Sequence, residues 1–157
     1  MTLTYVVVDC QWPVNFNLTL SSFEPSIAGV QNLAIMAANS ALNAFVLFVS
    51  SVASVGGWKG SEEIPEIPIH DLTVATHMGY SQSKLIAEVL LDKASKISGV
   101  RSAICRVGIV AGPIKQKLGM WNISEYIPSV IRCLVLFSYI VAISSNTLAD
   151  YRLIGLA

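Results

Sequence analysis

The chain has 157 residues, enough for one domain with one core. Hydrophobic residues make up 54% and charged residues only 13%, which is apolar even for a buried α/β protein. Ten basic and ten acidic residues cancel and no basic run occurs, which argues against nucleic acid as a partner.

In chain order, YVVVD (Tyr5 to Asp9) reads as a short buried strand. SSFEPSIAGVQNLAIMAANS then predicts a helix. Ser21 or Ser22 can cap it, Pro25 is tolerated in its first turn, and Ile27, Val30, Ala34 and Ala37 recur at helical spacing. AFVLFVSS is a continuous apolar run ending in Ser50 and Ser51, the pattern of a central parallel strand covered on both faces. A long loop with Pro65, Pro68 and several glycines follows, and loops of that length are usually functional or disordered. YSQSKLIAEVLLDKASKIS predicts a second helix, with Gly99 as its C-terminal cap. RSAICRV predicts another buried strand and GIVAGP the loop after it. Asn122 with Glu125 resembles a capping box for a third helix, SEYIPSVIRCL.

Strand, helix, strand, loop, helix, strand is the order of an α/β protein with an open parallel sheet and helices on both faces. Ligands of such sheets bind at the carboxyl ends of the strands. The run CLVLFSYIVAISS, Cys133 to Ser145, carries no charge but is shorter than the roughly 20 apolar residues of a membrane span. It reads as a buried helix or strand, as a segment foreign to the fold, or as a membrane anchor. Cys10, Cys105 and Cys133 lack metal or disulfide spacing and read as free thiols of a reducing compartment, consistent with a cytoplasmic protein. His70 and His77 read as solvated loop residues. Trp58 either lines a channel or pins the loop to the core.

The chemistry centres on GYSQSK. Tyr80 and Lys84 stand four residues apart, on one helix face. That spacing alone also suits any helix start. Parallel topology, however, brings the end of AFVLFVSS close to the start of this helix, so a serine hydroxyl, a phenol and an ammonium converge.

This set resembles the extended short-chain dehydrogenases/reductases. WPVNFNLTLSSFEPSIAGVQNL, SSVASVGGW, MGYSQSK and RVGIVAGP, in that order, resemble more closely the thioester-reductase domains of fungal non-ribosomal-peptide-synthetase-like enzymes and the carboxylic acid and aminoadipate reductases. The likeness covers residues 12–133 as a partial Rossmann-like, NAD(P)-binding domain, flanked by a non-family segment 1–11 and an apolar tail 134–157. It implies NADPH as cofactor and a carrier-bound acyl thioester as substrate, released as aldehyde or alcohol. It implies that Tyr80 donates a proton, that Lys84 lowers the phenol's pKa from its usual ~10 and bonds the nicotinamide ribose, and that Ser51 fixes the carbonyl oxygen. Ser54 is the weaker alternative to Ser51. Arg106, Val107, Gly108 and Pro113 fall at the nicotinamide end by the same likeness.

The sequence also departs from the family. No glycine-rich G-x-x-G-x-x-G turn for the pyrophosphate occurs, Cys10-Gln11 replaces an Asn-Ala pair, and Ile109 stands where glutamine is common. The chain is therefore expected to be an N-terminally truncated reductase, a weak NADPH binder and inactive by itself. The alternative is a non-catalytic fragment or partner-binding module whose segment 133–145 touches membranes.

Overall fold

The computed structural model describes residues 5–110 and 126–144. Three parallel strands, β1 (Val6–Asp9), β2 (Phe45–Ser51) and β3 (Arg101–Val107), form one sheet in the order β1-β2-β3. The register sets Val6 beside Phe45 beside Arg101, and Ser51 beside Val107. The crossovers are α1 (Glu24–Ala38) and α2 (Gly79–Ser98). The parallel α/β architecture matches the expectation from sequence.

Coverage of the sheet differs from the expectation. Strand order advances in one direction, and right-handed crossovers then place both helices on the same face. Along β2, Val46, Phe48 and Ser50 are buried, while Phe45, Leu47, Val49 and Ser51 are half-buried. β1, expected as a buried strand, leaves Val6 and Val8 57% and 54% exposed and buries only Asp9. β3 is half-buried apart from Arg101 and Cys105, which are exposed. An apolar run reports affinity for a covered face. It does not report how many faces the topology covers.

The core lies between the helices and the sheet, where Phe23, Val30, Phe48, Leu91 and Trp12 pack. A 3-10 turn, Leu20–Phe23, precedes α1, so Ser21 and Ser22 do not cap the helix; their hydroxyls meet Thr19 Oγ1 at 2.9 and 3.2 Å. Pro25 sits in the first turn of α1, where its missing N–H costs nothing. α2 ends at Gly99, which adopts φ 66° and donates its N–H to Ser95 O at 3.0 Å, as a left-handed cap should. The loop after β2 is folded. Val55, Ile69, Val74, Ala75 and Leu85 form a second cluster, with Trp58 packed on it. Trp58 thus pins the loop.

A second unit begins at Val110. Its described element is α3 (Tyr126–Ser144), with Pro128 in the first turn. The expected capping pair Asn122 and Glu125 lies outside the described residues. α3 runs on through the apolar stretch, and Ile131, Val135, Leu136 and Phe137 are exposed on it, not buried. No described helix is long and apolar enough to cross a membrane.

Candidate active site

α2 runs antiparallel to the strands, so its amino end lies at their carboxyl edge. Two side chains hold it there. Lys84 Nζ donates to Val49 O at 2.6 Å, and the Glu88 carboxylate accepts a hydrogen bond from Ser50 Oγ. Tyr80, Lys84 and Glu88 stand at i, i+4 and i+8, one stripe of α2 facing the last residues of β2.

Gly79 permits this approach. A Cβ there would lie 2.5 Å from both Leu18 O and Leu20 N, so only glycine lets the segment before α1 cross the start of α2. Tyr80 follows at once. Its ring is buried, edge-on to Phe16 at 5.2 Å and to Phe23 at 6.2 Å. Its hydroxyl makes no hydrogen bond among the described residues and is not sealed from solvent.

Lys84 is 3% exposed. Its ammonium sits 4.3 Å from the Trp12 ring centroid, 4.7 Å from Phe48 and 6.0 Å from Tyr80. Burial pulls its pKa down to about 8 against the opposing pull of Asp9, Glu88 and Cys10. Trp12 is fixed in turn: Nε1 donates to Ser83 Oγ at 3.1 Å, and Ser83 Oγ donates to Tyr80 O at 2.7 Å.

Ser51 ends β2 and caps the 3-10 turn Val52–Val55, its Oγ accepting from Ala53 N at 3.2 Å. Ser54 is fully buried, and its one hydroxyl hydrogen is shared between Ser51 O at 2.8 Å and Glu88 Oε1 at 2.7 Å. It supports the turn and does not open to the edge.

Arg106 departs from the place expected for it at the nicotinamide end. Nε and Nη2 donate to Glu88 Oε2 at 3.0 and 2.7 Å, Nη1 to Pro65 O at 3.3 Å and Nη2 to Ile67 O at 3.2 Å. Its position on β3 directs it to the helix-covered face with Ser50, where the buried carboxylate needs a cation. Val107 is half-buried beside Ser51, and Gly108 is exposed just beyond. Pro113 lies outside the described residues. His70 Nε2 meets Asp92 Oδ2 at 2.7 Å on the surface, and His77 is exposed; neither lies in the cluster.

Sequence reasoning missed Glu88, Trp12 and Ser83. The signal for Glu88 was present: it extends the Tyr80–Lys84 face by one more turn in an otherwise apolar stretch, LIAEVLL. Nothing local marks Trp12, which meets Ser83 across 71 residues of sequence. The carboxyl end of β2 carries the Ser51 hydroxyl, and the adjoining start of α2 carries the Tyr80 phenol and the buried Lys84 ammonium. Groups of these types can hydrogen-bond an oxygen and move a proton.

The male sterility protein family of NAD-binding domains matches residues 3–154. A carboxylic acid reductase of Neurospora crassa is 44% identical over 126 residues, 80% of this chain and 12% of that protein. The adenylate-forming reductase Nps10 of Heterobasidion annosum is 35% identical over 134 residues, 84% of this chain and 12% of that protein. For Nps9 of Serpula lacrymans the figures are 38% over 130 residues, 81% and 11%. The chain spans about 12% of the length of these curated relatives. By sequence, the chain belongs to the male sterility protein family of NAD-binding domains, among the thioester-reductase domains of fungal adenylate-forming and carboxylic acid reductases.

Proposed function

We propose that the site serves NADPH-dependent reduction of a carrier-bound acyl thioester to an aldehyde or alcohol. One observation carries the reading. The end of β2 bearing Ser51 and the start of α2 bearing Tyr80 and Lys84 are pinned together by the Lys84–Val49 and Glu88–Ser50 bonds.

The residues present fit the nicotinamide end of such a cofactor. A Cβ at Gly108 would meet no protein atom within 4 Å, so no packing among the described residues demands glycine there, and the open backbone lets a ligand approach. The Tyr80 hydroxyl has no hydrogen-bond partner among the described residues. When bound, NADPH supplies a hydride to the thioester carbonyl carbon. Ser51 donates its hydroxyl hydrogen to the carbonyl oxygen and fixes it. Tyr80 protonates that oxygen as negative charge develops; the proton returns to Tyr80 as the carbon–sulfur bond breaks, and the carrier leaves as a thiolate that takes a proton from water. Lys84 keeps positive charge beside the phenol and presents its remaining N–H donors to the ribose.

The test is a titration of the 157-residue chain with NADPH, followed by turnover with an acyl-pantetheine thioester at the highest cofactor occupancy reached. Weak binding is expected, because the sequence carries no glycine-rich pyrophosphate turn. Thioester-dependent NADPH oxidation should fall by about a hundredfold or more in Tyr80→Phe, with cofactor affinity within about twofold. Equal turnover in that variant removes the general-acid assignment, and a folded chain without NADPH binding removes the cofactor.

A further inference from the structure

Glu88 is the most deeply placed charge in the described structure, with no exposed surface. A carboxylate so buried needs partners for both oxygens. Oε1 accepts from Ser50 and from Ser54, and Oε2 accepts from Arg106. Those three partners come from the end of β2, the turn after it, and β3. Arg106 carries the connection on to the Pro65 and Ile67 carbonyls of the long loop. Every segment that frames the candidate site, apart from the stretch carrying Trp12, is thus tied to one carboxylate.

The partners flank Ser51. Ser50 precedes it, and Ser54 holds the Ser51 carbonyl at 2.8 Å. On α2, Glu88 lies one turn beyond Lys84 and two beyond Tyr80. We propose that Glu88 is a positioning residue. Clamped by Arg106, it sets the separation of Ser51 from Tyr80 and Lys84 without touching substrate or cofactor. The inference rests on the function proposed above for that trio. An apolar side chain of similar size could fill the space, but it could not hold β2, its turn and β3 in one register relative to α2.

The charge also acts on Lys84. The groups facing that ammonium are Asp9 at the end of β1 and Cys10 just after it, Tyr80 and Glu88 on α2, and the Val49 carbonyl on β2; Arg106 on β3 lies behind Glu88. Removing the Glu88 charge withdraws one of the anions that hold the proton on Lys84.

The test uses the full chain with Glu88→Gln, and Ser54→Ala as a milder variant that removes a single hydroxyl. Three readouts are taken: the backbone amide resonances of Ser51 and Ala53, the NMR titration of Lys84 Cε, and steady-state turnover with NADPH and acyl-pantetheine. In Glu88→Gln, the Ser51 and Ala53 amides should shift, the Lys84 midpoint should fall below its parent value, and kcat should drop by about a hundredfold with KM within about twofold. Ser54→Ala should shift the same amides and lower kcat less, with the Lys84 midpoint unmoved. Should Glu88→Gln fail to fold, the Ser54→Ala amide shifts and kcat decide. Unmoved Ser51 and Ala53 amides in the folded variants, or kcat within about twofold of the parent, overturn the proposal. A parent chain without turnover is the behaviour expected of it by itself, and the amide shifts and the Lys84 titration then decide the role of Glu88.

Discussion

The Lys84 ammonium lies 4.3 Å from the centre of the Trp12 ring, and Trp12 is itself hydrogen-bonded to Ser83 one residue before that lysine. A residue from the loop after β1 therefore holds the helix that bears Tyr80 and Lys84 by a ring face and by an N–H. The two contributions separate by substitution. Trp12→Phe keeps an aromatic face and loses the indole N–H, leaving one hydrogen bond unmade, and should cost about 1 kcal/mol. Trp12→Ala also loses the core packing against Phe23 and Phe48 and should cost about 3–5 kcal/mol. Urea unfolding of the three proteins checks the ratio; equal losses in the two variants would place the whole contribution in the N–H.

Lys84 also makes stability depend on pH in a defined direction. Burial lowers its folded pKa to about 8 from the ordinary 10.5. Between those values the unfolded chain holds a proton that the folded chain has released, so stability rises with pH across that window. Below about 8 both states are protonated and the burial cost is fully present. Lys84→Met removes this contribution. The stability difference, parent minus variant, should therefore increase between pH ~7.5 and ~10 in denaturant midpoints. A difference that stays flat or falls would show that the ammonium is better solvated than its surroundings indicate.

Much of the fold was legible in the sequence because its signals are local. Pro25, the Gly99 cap and the apolar run Phe45–Val49 each act through their own backbone or immediate neighbours, and each element formed where those signals stand. The start of α1 shifted because Thr19 takes the Ser21 and Ser22 hydroxyls into a 3-10 turn. What could not be read is set at long range. Whether Val6 and Val8 are covered depends on which way the crossovers turn. Whether Arg106 faces a ligand or Glu88 depends on a carboxylate 18 residues earlier on another element. That the end of β2, with Ser51, meets the start of α2, with Tyr80 and Lys84, was legible because parallel topology dictates which strand end meets which helix start. The carboxylate behind them was not, since a glutamate in a helix is ordinarily solvated.

The open sheet face makes a prediction about association. Val6 and Val8 project from the side of β1 that neither α1 nor α2 covers, beside half-buried Phe45 and Leu47. Exposed apolar surface on an edge strand favours contact between chains. Val8→Thr keeps the β-branched shape that suits a strand while removing apolar surface. Stability should change by no more than about 0.5 kcal/mol, and self-association in light scattering should fall. A variant that unfolds would show Val8 to be part of the core.

The glycines at positions 29 and 79 are expected to respond to alanine in opposite directions, although both lie in helices. At Gly29, inside α1, an added Cβ meets nothing within 4 Å, so Gly29→Ala restricts the unfolded chain and improves helix propensity at no steric cost. A gain of about 0.5–1 kcal/mol should follow. At Gly79 the same helix preference is opposed by contacts of 2.5 Å with Leu18 O, Leu20 N and Thr19 C, all backbone atoms. The segment 18–20 cannot yield by rotating a side chain, and overpacking of this kind costs about 1–3 kcal/mol. Sterics should outweigh propensity, leaving Gly79→Ala less stable than the parent. The displaced segment lies next to Phe23, which contacts the Tyr80 ring, so turnover should fall even where the protein remains folded. Chemical unfolding of both variants checks the signs. A stabilised Gly79→Ala would mean that the segment before α1 does not cross the start of α2 as closely as this structure has it.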